Sequence, residues 1–145
     1  MYFEQMKVGM AVEIPPALIE KEKMLEFARL YDNIPLHTDE EYAKVSPFGA
    51  LIAPGVMSFM TLWARYLEVD FFGRELVAGK STSIRWHRPV YARDVLRGRA
   101  EITRLVRRNA GTGLVEITIE ACNQQGVPVL SNVTEAIVRC AEEEI

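Results

Sequence analysis

The stretch Val56 to Glu68 constrains the fold of this chain more than any other. Val56, Met57, Phe59, Met60, Leu62, Trp63, Ala64, Tyr66 and Leu67 leave almost no polar face at helical spacing. A helix that is apolar nearly all round must be covered on every side. Thirteen residues at about 1.5 Å each give a rod of about 20 Å, enough to run through the centre of a small domain. A bilayer is not the cover expected. The wider apolar stretch, Leu51 to Val69, is interrupted by Arg65 and Glu68 and carries Pro54-Gly55 near its start. It falls short of the about 20 apolar residues that a membrane span needs.

The chain downstream can supply the cover. Lys80–Trp86, with Leu76 and Val77 leading in, reads as a strand. In Val95–Val106, Leu96, Gly98, Ala100 and Ile102 alternate with Arg97, Arg99, Glu101 and Thr103. In Leu114–Cys122, Val115, Ile117, Ile119 and Ala121 alternate with Glu116, Thr118 and Glu120, and Pro128–Cys140 is a last run of β-formers. A period of two with one polar face predicts antiparallel strands buried on one side. Asn109–Gly113 and Gln124–Gly126 read as hairpin turns. The class is therefore α+β: an antiparallel sheet of about five strands wrapped around one long helix. A sheet of about five strands is small for enclosing that helix alone, which favours a homodimer.

Upstream, Met10–Ile14 reads as a short strand ended by Pro15-Pro16. From Lys21 to Tyr31, Met24, Leu25, Phe27, Ala28 and Tyr31 recur at helical spacing opposite Glu22, Lys23, Glu26 and Arg29, predicting an amphipathic helix. A loop from Asp32 to His37 follows. Thr38, with Glu41 three residues on, reads as the capping box of the next helix. Ser46–Gly55 reads as an ordered turn.

At 145 residues, without linker or repeat, the chain reads as one domain, 1–145. The net charge of −3 leaves no overall basic footprint for nucleic acid. Two cysteines, Cys122 and Cys140, make neither a four-cysteine zinc site nor a disulfide framework, and they read as small core or interface residues. The N-terminus carries an early acid and no apolar leader stretch, so the expectation is a soluble, cytoplasmic protein. Glu142-Glu143-Glu144 reads as a frayed, solvated end.

Only two histidines, His37 and His87, are available for proton transfer. His87 stands in a strand beside Trp86 and Arg88, where it reads as a residue facing solvent or an interface. His37 follows Asp32 by five residues across a loop holding Pro35. Such a bent loop can aim carboxylate and imidazole at one point, and Asp with His is a usual pair for moving a proton to or from water or carbon. The plainer alternative is that Asp32 caps a turn and His37 is a polar loop residue.

Beyond the pair, the segment Asp32-Asn33-Ile34-Pro35-Leu36-His37 resembles the Asp-x-Asn-Pro-Ile/Leu-His motif of the MaoC-like (R)-specific enoyl-CoA hydratases. Asp32, Pro35, Leu36 and His37 match, while Ile34 stands in place of Asn. Phe48–Met57 resembles the Phe-Gly-x-x-Ile-Ala-His-Gly-Met stretch, with Pro54 in place of His. Trp86–Leu96 resembles Phe-x-x-Pro-Val-Tyr-x-Gly-Asp-x-Leu. The resemblance implies a hot-dog fold, as a homodimer or dimer of dimers, and an acyl-CoA or acyl carrier protein thioester as substrate. It implies a hydro-lyase without cofactor or metal, in which Asp32 and His37 hold the water that adds to a 2-enoyl thioester. Backbone N–H groups at Gly55 and Val56 would steady the enolate-like oxygen, with glycine letting the acyl group come close. Ser58 is a further candidate for facing the site. Arg88, with Arg85 and Arg93, is a candidate for the phosphates of CoA, and Arg104, Arg107 and Arg108 form a second basic cluster. A thioesterase on the same fold, and a non-catalytic acyl-CoA-binding member or partner subunit, are the alternatives.

Overall fold

The computed structural model describes residues 1–142. Of the acidic end, Glu143 and Glu144 lie outside the described residues. Five strands, β1 (Ala11–Leu18), β2 (Leu76–Trp86), β3 (Val95–Arg107), β4 (Thr112–Cys122) and β5 (Pro128–Arg139), form one antiparallel sheet in the order β1-β3-β4-β5-β2. Between β1 and β2 come α1 (Lys21–Tyr31), α2 (Pro35–Thr38), α3 (Glu40–Lys44) and α4 (Gly55–Glu68). This is the hot-dog arrangement: a sheet curled around one long helix.

The alternation read from the sequence is the alternation of burial. Leu96, Gly98, Ala100 and Ile102 of β3 face inward, as do Val115, Ile117, Ile119 and Ala121 of β4. They form the floor on which α4 lies, with Leu62 fully buried against it. Gly98 permits the approach: a Cβ there would stand 3.3 Å from Leu62 Cδ1 and 3.2 Å from Ile14 Cδ1. Both expected hairpin turns form, each tied by an asparagine carboxamide, Asn109 and Asn123, that accepts from backbone N–H groups two and three or four residues on.

Three expectations are corrected. The first strand does not stop at Pro15-Pro16 but runs to Leu18. It is an edge strand, and its register with β3 shifts between Ile14 and Ala17, so the prolines sit where no ladder N–H is required. Thr38 does not cap α3. An extra helical turn, α2, opens on Pro35; Thr38 Oγ1 donates back to the Ile34 carbonyl, and Asp39 is the cap, accepting from Tyr42 N–H at 3.1 Å. Tyr31, expected on the apolar face of α1, is 76% exposed and packs on Phe27 instead. In keeping with the small size of the sheet, α4 is not covered all round by its own chain. Met57, Phe59, Leu62 and Tyr66 are buried, whereas Val56, Met60 and Leu67 are about half exposed on the other side. The edge strand β2 is exposed along its length apart from a half-buried Ile84. Among the described residues no helix is long and apolar enough to cross a membrane.

Candidate active site

Asp32 and His37 meet. Asp32 ends α1, its N–H still bonded to the Ala28 carbonyl, in a non-helical conformation that turns the chain. Ile34 then starts α2, where Pro35 suits the first helical position because its missing N–H would have no partner there. The single turn of α2 swings His37 back under Asp32. His37 Nε2 lies 3.2 Å from Asp32 Oδ2, with the imidazole buried and the carboxylate 43% exposed.

The ring is locked from its other side. His37 Nδ1 lies 2.7 Å from the Ile52 carbonyl, which can only accept, so Nδ1 carries a proton. Nε2 is then the nitrogen that meets Asp32. A bare lone pair facing a carboxylate would repel it; the contact is attractive when one proton lies between them. Ile52 clamps α2 twice, since its N–H also donates to the Leu36 carbonyl at 3.2 Å. Ile52 is itself held by a bridge to Tyr91 and by the neighbouring bond from Ala53 N–H to the Val90 carbonyl, 2.7 Å. Tyr91 O–H donates to the Phe48 carbonyl, and buried Asp94 accepts from Tyr91 N–H and from Gln124 Nε2. The three blocks of the motif therefore form one backbone-bonded unit around His37.

Asp32 and His37 open on a cavity of about 440 Å³, lined by Phe48, Ile52 and Val90 on one side and by the start of α4 and the end of β2 on the other. The first-turn N–H groups of Gly55, Val56 and Met57 have no acceptor within the helix, whose first internal bond runs from Ser58 N–H to the Pro54 carbonyl. Gly55, Val56 and Ser58 all line the cavity. Ser58 is fully buried, its Oγ 3.4 Å from that same Pro54 carbonyl.

Glycine at 55 also has a reason within the fold. A Cβ there would come within 2.4 Å of Trp86 Cε2 and 2.7 Å of Cζ2 and Nε1, so the indole already occupies the place that a side chain would take. Trp86 was not singled out by sequence reasoning, although it leads the third motif block. His87 is not in a strand, since β2 ends at Trp86; it is exposed, yet it lines the same cavity as His37, as does Arg88. The other arginines separate. Arg93 lies with Lys21 and Lys44 around a different cavity. Of the second cluster, Arg104 is held by Glu116 and Glu135, each at 3.3 Å, and Arg107 by Glu4 at 2.6 Å, so two of its three residues are occupied in ion pairs. Neither departure from the motif lines the cavity: Ile34 points to solvent at 44% exposure, and Pro54 is buried beneath the start of α4.

A structure of an Archaeoglobus protein described as a monoamine oxidase regulatory protein superposes with a TM-score of 0.92 at 28% identity, covering 98% of this chain and 96% of that one. The HadBC (3R-hydroxyacyl-ACP dehydratase) complex of Mycobacterium tuberculosis gives 0.77 at 28% identity, over 92% and 98%. The (R)-hydratase PhaJ1 of Pseudomonas aeruginosa shares the fold with a TM-score of 0.76 at 24% identity, over 97% and 86%. Residues 4–125 match the model of the MaoC-like domain. The motif blocks, the hot-dog sheet and this match agree, and the chain belongs to the MaoC-like domain family.

Proposed function

We propose that this protein is a hydro-lyase that adds water to, or removes it from, an acyl thioester such as a 2-enoyl-CoA or its carrier-protein equivalent, with Asp32 and His37 as the catalytic pair. The observation that carries the reading is the 3.2 Å contact between Asp32 Oδ2 and a His37 ring whose other nitrogen is fixed by a carbonyl, at the wall of a cavity that reaches a helix start. In the hydration direction the Asp32 carboxylate takes a proton from water as its oxygen bonds to the β-carbon. The proton on His37 Nε2 passes to the α-carbon, and transfer across the 3.2 Å contact resets the pair. As the double bond shifts, negative charge gathers on the thioester oxygen. The N–H groups of Gly55 and Val56, with the positive end of α4, are the donors for it. Ser58 shapes the wall beside them, and Arg88 binds the carrier.

Residues 1–145 act as one domain in the cytoplasm. Pairing of two copies, as a homodimer or dimer of dimers, would cover the exposed side of α4 and the open edge β2, which one chain leaves bare. The test is hydration of trans-2-enoyl-CoA esters of graded length and branching by the pure protein, read as loss of the conjugated thioester absorbance. Free thiol released from saturated acyl-CoA would instead identify a thioesterase. Binding without turnover, or turnover only with a second protein, would identify a non-catalytic member or a partner subunit.

A further inference from the structure

Trp86 brings a polar atom to the cavity that the fold does not use. Nearby, Ser58 Oγ lies 3.4 Å from the Pro54 carbonyl, and His87 Nε2 lies 2.7 Å from Ser131 Oγ. The indole N–H of Trp86 has no acceptor among the described residues. Its place is set by Gly55. A Cβ on Gly55 would stand 2.7 Å from Trp86 Nε1 and 2.4 Å from Cε2, so the nitrogen-bearing edge of the ring faces the start of α4. A Cβ lies about 2.5 Å from the nitrogen of its own residue, which puts Nε1 no more than about 5.2 Å from the Gly55 amide nitrogen. Two N–H donors that share one oxygen, at about 2.9 Å each, stand no more than about 5.8 Å apart. The spacing therefore lets the indole and the backbone serve one acceptor, and both Trp86 and Gly55 line the cavity of Asp32 and His37.

The sequence points the same way. The pattern that Phe48–Met57 resembles has histidine before the helix glycine, and the pattern that Trp86–Leu96 resembles opens on phenylalanine. This chain has Pro54 and Trp86 at those places. A ring with an N–H is absent at 54 and present at 86, against the same glycine. Phenylalanine would be an apolar wall over Gly55; tryptophan adds a donor to that wall. We infer that Trp86 is a further catalytic residue. Its indole N–H donates to the thioester oxygen beside the N–H groups of Gly55 and Val56, in a third hydrogen bond that strengthens as charge gathers there. The proton stays on the nitrogen, since indole is a donor only. Glycine at 55 is what lets that nitrogen come close enough. This inference rests on the acyl-thioester reading above.

The experiment compares the wild type, Trp86→Phe and a protein with benzothienylalanine at position 86, which keeps the shape of the indole and puts sulfur in place of its N–H. The last is made in a Trp63→Phe background, itself assayed as the control, so that position 86 alone carries the analogue. Hydration of trans-2-enoyl-CoA is read as kcat and KM separately. The expected result is a fall in kcat of about tenfold to a hundredfold in both replacements, with KM within about twofold, the mark of a bond made mainly in the transition state. In parallel, the indole N–H resonance of Trp86 is followed by NMR as butyryl-CoA or free CoA is added to the wild type. It should move downfield with the thioester and stay in place with free CoA. The donor is overturned if the sulfur analogue turns over at the rate of its control or changes KM alone. It is overturned if only Trp86→Phe loses rate, since the ring would then act by shape. An indole proton that does not move with butyryl-CoA overturns it equally. Because the NMR arm needs no turnover, a proton that moves only with the thioester, in a wild type that hydrates nothing, would sink the proposed reaction and leave the donor. Hydration unchanged by the sulfur analogue would do the reverse.

Discussion

The substitution Gly55→Ala puts one methyl group where the fold has left no room. In the structure that methyl would stand 2.4 Å from Trp86 Cε2 and 2.7 Å from two further ring atoms, where ordinary contact begins at 3.4 Å. The indole is rigid, so the ring must move as a body by about 1 Å or swing out; it is 48% exposed and has solvent to swing into. Two opposed effects bear on stability. Alanine in place of helical glycine is worth about 0.5–1 kcal/mol, and loss of the indole contact costs a similar amount. The melting temperature should therefore shift by only a few degrees. Activity should not be so forgiving, because Trp86 lines the cavity directly over the first-turn donors. A displacement of about 1 Å at a reacting site can cost about 100-fold in rate. The assay is hydration rate and melting temperature on the same preparation, with the Trp86 emission maximum read in a Trp63→Phe background. Unchanged emission together with an unchanged rate would refute the reasoning that this glycine exists to seat Trp86 beside the site.

Three further outcomes follow from particular residues. Arg93 holds φ at +71°, in the left-handed region, at the position where the family pattern has glycine; Arg93→Gly should raise the urea midpoint by up to about 1 kcal/mol equivalent, whereas Arg93→Ala should not. Ile34→Asn, which restores the family residue, should change the hydration rate by less than threefold, or about 0.5 kcal/mol, because Ile34 is exposed and off the cavity wall. Glu4 is held at a pKa of about 2, first by the Ala141 N–H and also by Arg107. A carboxyl lowered in the folded state contributes stability that is full above its unfolded value, near 4.5, and lost as pH falls toward 2. The stability difference between wild type and Glu4→Gln should therefore shrink across that window, as followed by urea unfolding at stepped pH.

Much of the fold was legible because burial here follows period. Where one face of a strand is buried, each residue declares its side, and Leu96 to Ile102 and Val115 to Ala121 did so without exception. The errors have local causes. Pro15-Pro16 looked like a stop because a proline has no ladder N–H, but an edge strand with a register shift does not need one there. The Thr38 cap was plausible by spacing, and the turn opened by Pro35 moved the start of α3 by one residue. The apolar stripe of α4 was read correctly as needing cover, and one chain does not provide all of it.

The candidate site was legible in part. Asp32 and His37 are close in sequence, and a single helical turn suffices to join them. What sequence spacing could not give is proximity across strands. His87 and Ser131 are 44 residues apart and meet because β2 pairs with β5, so the second histidine could not be assigned a partner in advance. The carbonyl of Ile52, which sets the His37 tautomer, carries no side-chain signal at all. Trp86 was visible as a motif residue, but its seat over Gly55 depends on how the end of β2 meets the start of α4.

The central claim is that Asp32 and His37 together move the proton of water. Asp32→Asn tests it most directly, because it keeps the shape of the side chain and removes its capacity to take a proton. The measurement is the initial rate of trans-2-enoyl-CoA hydration by wild type and by Asp32→Asn at equal folded concentration. The account predicts turnover by the wild type and a loss of about 10²- to 10⁴-fold in the variant, the usual weight of a positioned acid–base group. A wild-type rate in Asp32→Asn would contradict it, as would a wild type inert across all chain lengths and branched acyl groups.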